Sequence, residues 1–237
     1  MKFEGKNPIR EAINSGVSIN KLYVLDKIAD SQIREWVQLA KQKHAKVEWV
    51  DKKTLDKMSE TGHHQGIIAE CTDFKYADLD EVLKKDGDLL LVLLDNLQDP
   101  HNLGSVIRVA ECAGADAVII PSRNSVTVNE TVIRVSAGAS AHMPVCKVGN
   151  LNATIEKLKK LNIWVFGADM NGENMSKTNL TGNVALVIGA EGSGLSKLTR
   201  ELCDQIVSIP MFGKVNSLNA SVSAGILLYE AVRQRSK

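Results

Sequence analysis

A chain of 237 residues, 44% hydrophobic and 24% charged, has the composition of a soluble globular protein with room for one large domain or two modest ones. Its formal net charge of +1 supplies no basic excess, so any nucleic-acid surface has to be local. No apolar run approaches the length of a membrane span, and Met1-Lys2-Phe3-Glu4-Gly5 lacks the apolar core of a signal peptide, so the expectation is a cytoplasmic protein with no membrane contact.

The first third alternates helix and strand signals. A helix is expected around Pro8 to Asn14, a strand at Leu22 to Leu25, and a helix from Ser31, its candidate N-cap, to about Lys43. Val47 to Val50 reads as a strand, Thr54 to Ser59 as a short helix and Gly66 to Cys71 as a strand. The charged stretch Thr72 to Asp88, with an amphipathic piece at Leu79 to Leu83, reads as the connection between domains. Beyond it, Leu89 to Leu94 is an unbroken apolar run of the kind buried on both faces of a parallel sheet. Further strands are expected at Ala117 to Ile120, Val145 to Val148, Ile163 to Phe166, Val184 to Ile188 and Gln205 to Ile209. Helical patterns lie between them, such as Ser105 to Ala113, Ala153 to Leu161 and Ser196 to Leu202. That alternation predicts a doubly wound α/β domain, which binds ligands where loops leave the carboxyl ends of its strands.

Cys71, Cys112, Cys146 and Cys203 stand singly, and His63 and His64 are adjacent rather than four apart, so neither a disulfide framework nor a metal site is expected. His63-His64 reads as a polar loop. Local basic candidates are Lys41, Lys43, Lys46, Lys52, Lys53, Arg123, Arg134 and Lys214, each of which also reads as an ordinary solvated charge.

Three loops of the second domain are rich in Gly, Asn, Ser and charge, which suits a site better than a connection. The first, Asp95 to Ser105, leads into a helix carrying Arg108, whose plain alternative is a partner for Glu111. The second, Gly189-Ala190-Glu191-Gly192-Ser193-Gly194-Leu195-Ser196, lets backbone approach a ligand closely. Its glycines run in the reverse of the dinucleotide order and no acidic residue ends a strand about 20 residues on, which counts against an NAD-dependent oxidoreductase. The third runs from Ile209 to Asn219, and the small residues after it permit close packing.

These loops resemble the three motifs of the SpoU/TrmH family of RNA ribose methyltransferases, within the SPOUT superfamily: Asn96 to Arg108, Leu186 to Leu195, and Ile209-Pro210-Met211 through Ser217-Leu218-Asn219-Ala220-Ser221. The likeness covers about residues 88 to 235. Gly5 to Ala12 and His64-Gln65-Gly66 resemble the ribosomal-protein-L30e-like domain that precedes the catalytic domain in bacterial 23S rRNA guanosine 2'-O-methyltransferases. The resemblance implies an α/β fold with an L30e-like RNA-binding domain at 1–72, a linker at 73–87 and a trefoil-knot SPOUT methyltransferase domain at 88–237. It also implies S-adenosylmethionine as cofactor, no metal, a homodimer, and ribosomal RNA (23S favoured over tRNA) rather than DNA as partner. Carried over by motif position, Gly189, Ile209, Met211 and Leu218 hold the cofactor, and Arg108, Asn102, Glu191, Ser217 and Asn219 surround the reacting ribose. Glu191 is expected to orient Asn102 or Arg108. A noncatalytic RNA-binding protein stays open as the reading from a different class.

Overall fold

A computed structural model describes residues 1–14 and 17–236. Its contacts divide the chain into two compact units, one formed by Met1–Lys75 with Val128–Ala141, the other by Tyr76–Thr127 with His142–Lys237.

In the first unit the strands are β1 (Lys2–Glu4), β2 (Ile19–Leu25), β3 (Lys46–Val50) and β4 (Ile67–Cys71), in the sheet order β1-β4-β2-β3. Only the β2–β3 pair is parallel. The helices are α1 (Lys6–Asn14), α2 (Ser31–Gln42) and α3 (Lys52–Met58). Leu22, Val24, Ile33, Leu55 and Ile68 are fully buried, because alternate strand positions and one stripe of each helix must leave water together. Ser31 is not the cap of α2. Asp30 caps it, its carboxylate accepting from the Gln32 and Ile33 N–H groups at 3.0 and 3.3 Å, and Ser31 is the first helical residue. A carboxylate two and three residues upstream reaches those orphan donors, so the helix starts one position earlier than a Ser31 cap would give.

The second unit is built on strands β5 (Leu90–Asp95), β6 (Ala117–Pro121), β7 (Val145–Val148), β8 (Trp164–Asn174), β9 (Val184–Gly189) and β10 (Gln205–Ser208). They form an all-parallel sheet in the order β10-β8-β9-β5-β6-β7. The helices are α4 (Leu79–Val82), α5 (Pro100–Cys112), α7 (Leu151–Lys160), α8 (Lys197–Leu202) and α9 (Ala220–Arg235), while α6 (Glu130–Val135) lies in the segment that groups with the first unit. All six residues of β5 are buried, as the unbroken apolar run required. The chain leaves β5 toward β6 and β7 and then returns to the other side for β8 and β9. The strand order therefore reverses beside β5, the place where sheets of this kind open a crevice.

The unit boundaries differ from the expected ones in two places. The stretch read as a linker carries α4, whose Leu79 joins the core of the second unit, and Ala77 donates its N–H to Val145 O at 2.8 Å. Val128–Ala141, expected in the catalytic domain, groups with the first unit, where α6 packs on α1. β8 is also far longer than Ile163 to Phe166. It pairs with β10 as Gln205↔Phe166 and Ile206↔Gly167, then resumes at Val207↔Glu173, so residues 168–172 swing out of the ladder.

Candidate functional site

The crevice at the strand ends is a cleft of about 340 Å³, lined by the 168–171 excursion of β8, the loop after β9 and the loop between β10 and α9. Each wall has a local cause. The loop after β9 closes on itself through Ala190 N–H to Gly194 O (3.1 Å) and Gly194 N–H to Ala190 O (2.9 Å). That closure leaves no room at Gly189, where a Cβ would lie 2.2 Å from the Gly194 carbonyl carbon. Asp95, buried at the end of β5, accepts from Ser196 N–H at 2.7 Å and so ties the far end of this loop to the central strand. Gly172 permits the excursion, since a Cβ there would meet Ile206 backbone at 2.6 Å.

Asn219 organises the third wall. Its Oδ1 caps α9, accepting from Ser221 N–H and Oγ–H at 2.9 and 2.6 Å and from Val222 N–H at 3.3 Å. The amide orientation is thereby fixed, and Nδ2 must donate on the other side, to Asn102 Oδ1 at 2.8 Å and to Glu191 Oε1. Asn102 is 4% exposed, and with Oδ1 so engaged its Nδ2 is left as a donor. Among the described residues, Asn102 Nδ2 and Ser140 Oγ are the buried side-chain polar atoms without a hydrogen-bond partner. A buried unpaired donor costs about 1–3 kcal/mol, so it marks a position where a ligand acceptor would be favoured.

Six of the nine expected site residues line the cleft: Gly189, Glu191, Ile209, Met211, Ser217 and Leu218. Asn102 and Asn219 join them through the amide chain just described. Asn102 lies in the first turn of α5, not in a loop, because Asp99 caps that helix and Pro100 opens it. Arg108 stands apart. It is exposed, does not line the cleft, and among the described residues has no partner, so the alternative pair with Glu111 does not form. Glu191 reaches Asn102 through Asn219 and does not touch Arg108, which corrects the expected orienting role.

Elsewhere, His63 and His64 lie in a loop as expected, His63 exposed but His64 only 7% so, with its Nε2 2.9 Å from Asp56 Oδ1 and its Nδ1 accepting from Gly66 N–H at 3.0 Å. All eight basic candidates are exposed. Among the described residues, no group of three His, Cys, Asp or Glu is placed to hold a metal.

Sequence reasoning missed the wall formed by Ala168, Asp169, Met170 and Asn171. The available signal was the run Gly167-Ala168-Asp169-Met170-Asn171-Gly172, polar and glycine-bounded directly after an apolar strand. Asp169 and Glu191 are the charged side chains of the lining. Burial pushes the Asp169 carboxyl up, but the Asn171 N–H and the Arg200 guanidinium outweigh it and hold the group below the usual carboxylate range.

Comparison with known proteins fits this geometry. Residues 89–229 match the SpoU rRNA Methylase family, and residues 3–77 match a family described as RNA 2'-O ribose methyltransferase substrate binding. The Bacillus subtilis protein YacO, named for the TrmH tRNA/rRNA methyltransferase family, is 41% identical over 238 residues, covering 98% of this chain and 95% of that one. A Staphylococcus aureus protein named for the same family is 44% identical, covering 98% and 95%. Among solved structures, the SpoU methyltransferase AviRb of Streptomyces viridochromogenes in complex with AdoMet superposes with a TM-score of 0.79 at 28% identity, over 99% of this chain and 90% of that one. A structure titled for 2-OH methylation of C/U34 on tRNA matches with a TM-score of 0.56 at 25% identity, covering 62% of this chain and 96% of its own. The fold, the second and third motif loops lining one cleft with Asn102 of the first bonded to Asn219, and these matches together place the chain in the SpoU/TrmH family of RNA 2'-O-ribose methyltransferases.

Proposed function

We propose that the protein transfers a methyl group from S-adenosylmethionine to the ribose 2'-hydroxyl of a guanosine in 23S rRNA. The observation that carries the reading is the cleft at the reversal of strand order, in which six expected site residues converge beside the buried Asn102 donor. Its volume suits a ligand of the cofactor's size. A lining whose charges are Asp169 and Glu191 suits a cationic ligand, and the tight turn at Gly189 lets backbone approach it.

Gly189, Ile209, Met211 and Leu218 would hold the cofactor, which when bound supplies an electrophilic methyl group. The residues of this chain then have to place and activate the attacking oxygen. Asn102 Nδ2 is the donor that orients it, held by Asn219 and Glu191, with Ser217 beside them. Arg108 acts as a cation that binds the neighbouring phosphate and stabilises the developing alkoxide while the hydroxyl proton leaves to phosphate or water, since a guanidinium resists deprotonation and is a poor base. Its exposed, unpartnered side chain is free to meet RNA. Arg108→Lys is expected to lose methylation about 100-fold without moving the pH–rate profile; a shifted profile with activity retained would identify a titrating base instead.

Ribosomal RNA is favoured over tRNA by the front unit. The substrate-binding family matches residues 3–77, whereas the tRNA-titled structure matches 62% of the chain. The roles follow the compact units: the one formed by Met1–Lys75 with Val128–Ala141 binds RNA, and the one formed by Tyr76–Thr127 with His142–Lys237 catalyses. The same reading carries the trefoil knot around the second and third loops, and a homodimer to cover the exposed Phe212, Val215, Val222 and Tyr229. Transfer of labelled methyl to unmodified 23S rRNA and to unmodified tRNA in parallel tests it. Label at a guanosine 2'-oxygen of 23S rRNA is expected; label in tRNA alone overturns the substrate and leaves the chemistry.

A further inference from the structure

Asp169 sits in the excursion of β8 that no family motif covers, and its side chain is 18% exposed. Its Oδ2 pairs with Arg200 Nη1 at 2.6 Å and its Oδ1 accepts from Asn171 N–H at 2.9 Å. A carboxylate offers about four lone-pair positions, so these bonds leave acceptor capacity over. Across the cleft stands Gly194, at φ +65°, where even a Cβ would lie 3.9 Å from Asp169 Oδ2. That Cβ would meet no other atom within 4 Å, and Asp169 itself lines the cleft. The ion pair and the Asn171 N–H also keep it ionised and fixed in place, so its geometry is prepared before a ligand arrives.

We propose that Asp169 is a cofactor-binding residue whose carboxylate accepts a hydrogen bond from an N–H or O–H donor of S-adenosylmethionine, an inference that rests on the cleft being the cofactor site. The donor lies either in the nucleoside half, as a ribose hydroxyl or adenine amine, or in the amino-acid tail, as the ammonium. Arg200 is a positioning residue that holds the carboxylate.

Titration calorimetry on the full-length protein tests this with S-adenosylmethionine and with 5'-methylthioadenosine, which lacks the amino-acid tail. Asp169→Asn, nearly isosteric, is expected to weaken S-adenosylmethionine about tenfold. An equal loss with 5'-methylthioadenosine places the donor in the nucleoside half, and a loss confined to S-adenosylmethionine places it in the tail. Arg200→Gln breaks the ion pair but keeps the carboxylate, so its affinity is expected to fall, but only about threefold, less than that of Asp169→Asn. Unchanged affinity in Asp169→Asn overturns the proposal, as does an equal loss in Arg200→Gln, which would make the pair a mere brace. If the parent protein itself fails to bind S-adenosylmethionine, the cofactor site falls and this proposal with it.

Discussion

Asn102 and Glu4 are both buried polar side chains, and the difference between them separates function from framework. The Asn102 amide is held at Oδ1 by Asn219 and carries an unpaired Nδ2. Asn102→Asp keeps the acceptor toward Asn219, removes the donor and adds a negative charge where an oxyanion is expected to develop. Single-turnover methylation should fall about 100-fold while cofactor affinity changes less than about threefold; equal losses in both would make Asn102 a brace for the cleft. Glu4, by contrast, is fully satisfied. Its carboxylate accepts from Ser59 Oγ–H, Thr61 Oγ–H and the Glu60 and Thr61 N–H groups at 2.6 to 3.2 Å. Burial pushes its pKa up, but these bonds prevail and bring it from 4.5 to about 2. A carboxylate depressed in the folded state contributes stability that is present above its unfolded value and is lost as pH falls from about 4.5 toward 2. Glu4→Gln should therefore lower stability at neutral pH by about 2 kcal/mol and flatten the loss of Tm between about pH 5 and about pH 3. Thermal melts across that range check it, and an unchanged slope would remove Glu4 as the cause.

At the scale of elements, the sequence was most legible where one physical demand acted alone. The apolar run at Leu89 to Leu94 read as a strand buried on both faces, and Val145 to Val148 was bounded correctly because Pro144 precedes it and Gly149-Asn150 follow it. Reading failed where two demands competed. Strand β8 carries a five-residue excursion before its pairing with β10 resumes, so its periodicity breaks and the expected strand ended at Phe166. β1 is three residues long and α6 six, both too short for a pattern to emerge. The motif loops were legible by composition, yet which of their residues meet was not, because the Asn102–Asn219–Glu191 chain joins positions far apart in sequence. Glycine content did foretell close approach, and Gly189 makes that testable. Gly189→Ala would place a Cβ 2.2 Å from Gly194 backbone, which cannot yield as a flexible side chain would. The loop must open, and S-adenosylmethionine affinity is expected to fall at least about 30-fold with the Tm lowered by a few degrees. Calorimetry and a thermal melt on one sample decide it: intact affinity would mean that the Ala190–Gly194 closure is not what shapes the cleft.

At the scale of the whole molecule, chain order and compact units do not coincide. A cut within the expected linker at 73–87 looks natural from sequence, and the tRNA-titled structure matches over 62% of this chain and 96% of its own. Here, however, Val128–Ala141 belongs to the compact unit of residues 1–75, where α6 packs on α1 with Val132, Ile133, Ile9 and Ala12 all fully buried. Removing residues 1–75 deletes α1 and leaves α6 without that cover. Burying each such aliphatic side chain is worth about 1.5–3 kcal/mol, so the shortened chain has an apolar surface that water penalises. A protein beginning at Tyr76 is therefore expected to bind the dye ANS and to elute partly as aggregates on size exclusion, although its parallel sheet, with β5 fully buried, has every strand it needs. A monodisperse, dye-silent product would show that α6 is covered by its own half of the chain, and that the front unit is a separable module.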